Sequence, residues 1–499
     1  MQVLHIGLDA SASTAAAAGV LSRMPALRTV SIACDCSDDA MLTMCHALAS
    51  LPQLTGVRLR GAVSTAAGAV LRALPPLRSL RVHCLRGVAG DETDAVSEAL
   101  GAQAALTSLD ISSSNLATLS RSHLASAFGG GLRHLRASGC GLQGAGAAAV
   151  AAARCPALES LDLSDNPLAD IGSCARAFHG HQCLTALDLT HTESSVGAVT
   201  AAAPAFAALT ALRRLRISAT DAPVQSMRRR RPEVHAACFL APHLSALVNL
   251  TELDLSATPE AAFGAEMLAA VRCLPALTAL VTLNLARATV PVPPLAAALR
   301  TAHFKPLQSV SLVGVPLGGA AAGIAACLPL SLTHLNLMEC AVGLPAVDAE
   351  ALGRAVANLP ALQKLWLGGN RLDAAAVAAL APHLRHLSAL CLLDLSSSAV
   401  TGAAAAALGA ALAGMSALKQ LLLWNTTRTL DDVQEICCGG CAGAQVALPA
   451  LESLCMGGQN FQFEVGAERR WPEAVPPALL SSLERRQGAC AAQHVAVDC

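Results

Sequence analysis

One six-residue pattern, L-x-x-L-x-L, recurs almost from end to end and constrains this chain more than any other feature. The clearest copies are Leu106-Thr-Ser-Leu109-Asp-Ile111, Leu158-Glu-Ser-Leu161-Asp-Leu163, Leu184-Thr-Ala-Leu187-Asp-Leu189, Leu250-Thr-Glu-Leu253-Asp-Leu255, Leu332-Thr-His-Leu335-Asn-Leu337 and Leu362-Gln-Lys-Leu365-Trp-Leu367. Further copies open at Leu27, Leu54, Leu77, Leu132, Leu212, Leu280, Leu307, Leu390, Leu418 and Leu451, and a degenerate one is Met1-Gln-Val-Leu4-His-Ile6. That makes 17 units, spaced by 23 to 38 residues and mostly by 25 to 30. Length alone would suggest roughly three or four domains. Repetition in register argues instead for one quasi-linear stack.

Alternation of period two marks the opening of each unit as a short strand with its leucines inward. An Ala-rich stretch with Leu or Val at helical spacing follows, as in Asp373 to Leu384 and Thr401 to Leu412. Asp373 and Thr401 stand where an N-cap belongs. Tails such as Cys155-Pro-Ala-Leu158, Leu274-Pro-Ala-Leu277 and Leu359-Pro-Ala-Leu362 stop the helix and lead into the next strand. Two units complete the longer pattern L-x-x-L-x-L-x-x-N-x-L, through Asn166 and Asn370. Elsewhere that position holds Ser114, Cys140, Thr192, Thr220, Thr258, Cys340, Ser398 or Thr426. A short polar side chain there can satisfy backbone groups where the chain leaves the strand.

Over about residues 1 to 460 these units resemble the ribonuclease-inhibitor-like class of leucine-rich repeats. The resemblance implies an α/β solenoid, a curved horseshoe with a parallel β-sheet on the concave face and helices on the convex face. The irregular unit length departs from the strict alternation of ribonuclease inhibitor. Residues 461–499 lose the pattern; Phe461, Phe463, Trp471, Leu479, Leu480 and Leu483 are expected to form a C-terminal cap, followed by a mobile tail. At the other end the repeat begins at Met1 with no capping segment, which implies either an upstream segment or a frayed first strand.

Composition narrows the function classes. The net charge is −1, which gives no global pull toward nucleic acid or an anionic membrane. The nineteen cysteines are odd in number and fall mostly at apolar repeat positions. They read as buried thiols in a reducing compartment, so a cytoplasmic (or nuclear) location is expected. Met1 to Asp9 lacks the basic and apolar regions of a signal peptide. Pro306–Leu332 and Leu395–Leu418 are apolar enough to suggest membrane spans, yet both carry the repeat in register.

Strand alternation also places the residue between the second and third leucines on the concave face. From the N-terminus this column reads His5, Ser31, Arg58, Arg81, Asp110, Arg136, Asp162, Asp188, Arg216, Asp254, Asn284, Ser311, Asn336, Trp366, Asp394, Leu422 and Cys455. A basic zone (Arg58, Arg60, Arg81, His83, Arg136) is followed by an acidic one, Asp110, Asp162, Asp188 and Asp254, interrupted by Arg216. Stacked carboxylates would repel, raise their own pKa values and favour a basic partner or a cation. The last zone is apolar: Met338, Trp366, Leu392, Leu422 and Trp424. Two of the three tryptophans thus lie two units apart, about 10 Å at strand spacing, the signature of an interaction hot spot.

The expected function is a non-catalytic scaffold, a monomer without cofactor, binding a partner protein and neither nucleic acid nor membrane. Alternatives from other classes are a Ran-type GTPase-activating protein and the substrate-recognition arm of a ubiquitin ligase or receptor. No catalytic motif supports an enzyme. His134, His334, His383 and His386 form no H-E-x-x-H, and none of Lys305, Lys364 and Lys419 follows a glycine as a phosphate-binding loop requires. Cys437, Cys438 and Cys441 lack a second ligand pair for zinc. The basic run Met227 to Pro232 marks a projecting loop.

Overall fold

The structure is a computed structural model. It describes residues 3–8, 14–34, 37–63, 67–85, 91–116, 127–128, 130–144, 155–168, 171–178, 181–219, 234–235, 239–256, 264–301, 304–426, 432, 435–436 and 453–455. The chain divides into two compact units, Met1–Leu280 and Val281–Cys499.

In the first unit the strands are β1 (Val3–Leu8), β2 (Thr29–Cys34), β3 (Gly56–Val63), β4 (Ser79–Leu85), β5 (Ser108–Asp110), β6 (His134–Arg136), β7 (Ser160–Asp162), β8 (Ala186–Leu189), β9 (Arg214–Ala219), β10 (Val234–His235) and β11 (Glu252–Asp254). The second unit holds β12 (Thr282–Asn284), β13 (Ser309–Ser311), β14 (His334–Asn336), β15 (Lys364–Trp366), β16 (Leu392–Asp394), β17 (Gln420–Leu422) and β18 (Ser453–Cys455). Each of the seventeen L-x-x-L-x-L openings yields one of these strands. The exception is β10, which lies inside the long repeat opening at Leu212 and pairs antiparallel with Ser218 and Ala219 of β9.

The other pairings among the described residues are parallel, with one shift of register, between Arg60 and Val63 where β3 meets β4. Leu109, Leu135, Leu161, Leu187 and Leu215 align one above another in the first unit. Leu283, Val310, Leu335, Leu365, Leu393 and Leu421 do so in the second. These aligned side chains are buried, while most of their strand neighbours are half-buried or exposed; Asp110, Leu392 and Asp394 are the buried exceptions. A one-residue slip would turn the leucines to solvent, so this apolar alternation fixes the register.

Many of the short strands from β5 on leave the sheet through the same turn. Residues of the outward column accept the backbone N–H two residues on: Asp110 from Ser112, Asp162 from Ser164, Asp188 from Thr190, Asp254 from Ser256 and Asp394 from Ser396. Asn284 and Asn336 do likewise for Ala286 and Met338. One residue further the backbone turns left-handed, at Ser113, Gly139, Asp165, His191, Arg287, Gly314, Glu339, Gly369, Ser397 and Asn425. Short carboxyl and amide side chains stabilise such turns by standing in for a backbone carbonyl.

The asparagine ladder follows. Asn166 donates from Nδ2 to the carbonyls of Ala137, Leu163 and Ser164, and its Oδ1 accepts from the N–H groups of Cys140 and Leu142. Asn370 donates to the carbonyls of Leu337 and Leu367 and accepts from Ala341. The thiols of Cys140 and Cys340 at the equivalent position donate to the carbonyls of Ile111 and Leu312. Burial pushes both thiols up to about 12, so they are structural groups.

Helices alternate with the strands. Asp373 caps the helix Ala374–Leu384, its Oδ1 accepting from the N–H of Ala376 at 2.7 Å, as expected. Thr401 is not a cap. The helix Ala403–Leu412 starts from Gly402, at φ +54°, whose N–H meets Asp432 Oδ1 at 2.6 Å. The Met227–Pro232 run, the Cys437/Cys438/Cys441 cluster and the expected cap over 461–499 lie outside the described residues. No helix among the described residues is long and apolar enough to cross a membrane.

Candidate interaction surface

The outward residues of the first unit form a pattern of pairs that the zone-by-zone reading missed. The register sets Arg81 beside Asp110, Asp110 beside Arg136, Arg136 beside Asp162 and Asp188 beside Arg216. Arg81 Nε lies 2.7 Å from Asp110 Oδ2, Arg136 Nε 3.0 Å from Asp162 Oδ2 and Arg216 Nη1 3.8 Å from Asp188 Oδ2. His83 Nε2 is 4.0 Å from the same Asp110 oxygen. In the neighbouring column Arg214 holds Glu252 through two bonds.

Asp110, Asp162 and Asp188 therefore use one oxygen for the turn and offer the other to an arginine. The expected stack of repelling carboxylates does not form there, because cations are interleaved. The Asp162–Asp188 step is the one place where two aspartates adjoin in register. Such pairs, mostly half-exposed, contribute little individually, on the order of 0–1 kcal/mol. Arg58 and Arg60 meet no carboxylate within ion-pair distance among the described residues. The Arg58 pKa is lowered first by burial and then by Arg81 and Arg60.

The outward face of the second unit is differently furnished. By strand it reads His334, Asn336 and Met338; Lys364, Trp366 and Gly368; Leu392, Asp394 and Ser396; Gln420, Leu422 and Trp424. Trp366 is half-buried and stacks on His334, with ring centroids 6.3 Å apart and planes inclined by 29°. Lys364 Nζ lies 6.0 Å from the Trp366 ring centroid, within cation–π range. Burial and, secondarily, Lys364 lower the His334 pKa.

Trp424 sits in the turn after β17 with 51% of its surface exposed, and its backbone N–H donates to Ser396 Oγ. Met338 and Leu422 are half-buried. Leu392 corrects the expectation of a broad apolar zone: it is 8% exposed and offers almost no surface. Lys364 and Gln420 flank it in register. The column-by-column reading did not single out His334 and Lys364. They belong to the outward column two residues earlier, and the same alternation identifies them.

Among the described residues no three His, Cys, Asp or Glu side chains gather as a metal site.

In-register parallel strands, alternating helices and an asparagine ladder together define a leucine-rich-repeat solenoid, a class whose usual role is protein binding. A family model described as Leucine Rich repeat matches residues 154–172, the stretch carrying Leu158, Leu161, Leu163, Asn166 and Leu168. Among solved structures, an internalin (inlF) from Listeria monocytogenes str. 4b F2365 is similar at 16% identity and a TM-score of 0.45, covering 78% of this chain and 88% of its own. The TLR13–ssRNA13 complex is similar at 16% identity and a TM-score of 0.47, covering 90% of this chain and 54% of its own. At that identity and with scores below one half, neither likeness bears on function. No curated protein matches the chain.

Proposed function

We propose that the chain is a non-catalytic binding scaffold that recognises a partner protein on the outward strand face, working as a cytoplasmic monomer without cofactor. The repeat region spans 1–460 in this reading, in the ribonuclease-inhibitor-like manner, with 461–499 closing its end. The carrying observation is the aromatic patch of the second unit, where half-buried Trp366, stacked on His334, and exposed Trp424 stand two repeats apart, with half-buried Met338 and Leu422 on the same outward face. Large aromatic side chains held rigidly at a surface supply contact area at low entropic cost, and they dominate the energetics of interfaces.

The charged face of the first unit plays a secondary part. Asp110, Asp162, Asp188 and Arg81 are engaged in turns and ion pairs, and Asp254 in its turn. Arg58, like Arg60, has no carboxylate within ion-pair distance among the described residues and is offered here to a partner's carboxylate. A protein is favoured over nucleic acid or membrane in this reading because the net charge is −1 and the patch itself is aromatic and apolar.

Affinity capture with Trp366→Ala/Trp424→Ala beside wild type tests the proposal. Loss of partner, by at least about tenfold in yield, is expected from two anchors of this size. Both residues retain solvent contact, so circular dichroism should be unchanged. Equal recovery of the same proteins by both chains would overturn the reading.

A further inference from the structure

Immediately after Trp366 the side-chain surface of β15 is interrupted by Gly368 and Gly369. A Cβ on Gly368 would stand 2.7 Å from Asp394 Oδ2, and a Cβ on Gly369 2.7 Å from Glu339 Cγ. Two acidic side chains, one from the turn after β14 and one from β16, thus lean over a floor made of two glycines. Trp366 is the in-register neighbour of Asp394 on β15. Gly369 has φ +75°, so a side chain there would be strained as well as crowded.

Asp394 is 4% exposed. Its Oδ1 accepts from the Ser396 N–H at 2.9 Å, while Oδ2 meets no donor among the described residues. Neither Asp394 nor exposed Glu339 has a cation within ion-pair distance among the described residues. Asp110, Asp162 and Asp188 of the first unit each have one. A nearly buried carboxylate is stable when a cation pairs with it, so this notch is a site of negative charge without its complement.

We propose that the notch receives an arginine side chain of the partner protein, its guanidinium lying against the Trp366 ring and donating to Asp394 Oδ2, with Glu339 at its outer edge. The inference rests on the aromatic patch being the binding surface. Arginine fits better than lysine because its planar, weakly hydrated head both stacks on an aromatic face and donates along its edge. A divalent metal would find two carboxylates and, among the described residues, no third His, Cys, Asp or Glu ligand. A nucleic-acid phosphate would meet two like charges.

The probe is Nα-acetyl-arginine amide, added to the full chain labelled with 5-fluorotryptophan. The Trp366 resonance is assigned by its disappearance in Trp366→Phe. We expect it to move saturably with the arginine compound and to stay in place with the citrulline isostere. In Asp394→Asn the affinity should fall at least about tenfold. That variant keeps the turn, since Asn284 and Asn336 make the same bond in their own repeats. An equal response to citrulline, or an undiminished one in Asp394→Asn, would overturn the assignment. So would a Trp366 shift produced by calcium chloride or oligothymidylate and not by the arginine compound. The two proposals fail separately: a captured partner lost with Trp366→Ala but retained with Asp394→Asn sinks the notch and leaves the patch standing.

Discussion

Asn370 and Ser398 occupy the same position in successive repeats but different energetic situations. Asn370 joins three backbone groups of two adjacent repeats, whereas the Ser398 hydroxyl is buried and meets nothing. Removing a side chain that satisfies buried backbone groups costs more than the bonds themselves are worth, because the groups left behind stay desolvated. Asn370→Ala should therefore lower stability by about 2–4 kcal/mol in chemical denaturation. Ser398→Ala should leave it within about 0.5 kcal/mol or raise it, since it deletes an unsatisfied oxygen. A loss of several kcal/mol from Ser398→Ala would show that the hydroxyl has a partner after all. The ladder position was legible in the sequence, but its vacancy at Ser398 was not, because serine, threonine and cysteine can all fill the slot by bonding to nearby carbonyls.

At the scale of elements, strands were readable wherever apolar alternation fixed them, and β10 was not, since two residues carry no periodicity. The left-handed turn after many of the short strands also escaped notice. Its positions hold Ser, Asp, His, Glu, Arg and Asn as well as Gly, so glycine does not announce it. The alternation of Arg and Asp was overlooked because it runs across strands. Reading the column as zones hid that Arg81, Asp110, Arg136 and Asp162 are successive neighbours. Helix packing shows the same dependence on context. Gly409 lies in a helix interior, where alanine alone would gain about 1 kcal/mol. Yet its Cβ would collide with the backbone carbonyl of Glu435 in the next repeat, which cannot swing aside. Gly409→Ala should cost about 1–3 kcal/mol. Gly323, with nothing within 4 Å of its Cβ position, should tolerate or gain from the same change. Thermal melts of the two variants moving in the same direction would contradict the packing argument.

For the molecule as a whole, each repeat is stabilised chiefly by its neighbours, so damage should remain local. Leu365 is fully buried and aligned between Leu335 and Leu393. Leu365→Ala should cost about 2–5 kcal/mol and raise amide exchange most in β14, β15 and β16, far less in β2 to β4. Uniform loss of protection along the chain would mean cooperative unfolding of the entire array. The turn bond made by the outward column has a further consequence. Since Asn284 and Asn336 hold the backbone as Asp162 or Asp394 do, the scaffold is indifferent to whether a given rung is charged. Evolution can rewrite the electrostatic text of this face one letter at a time, exchanging carboxylate for amide, while the spelling of the architecture stays intact.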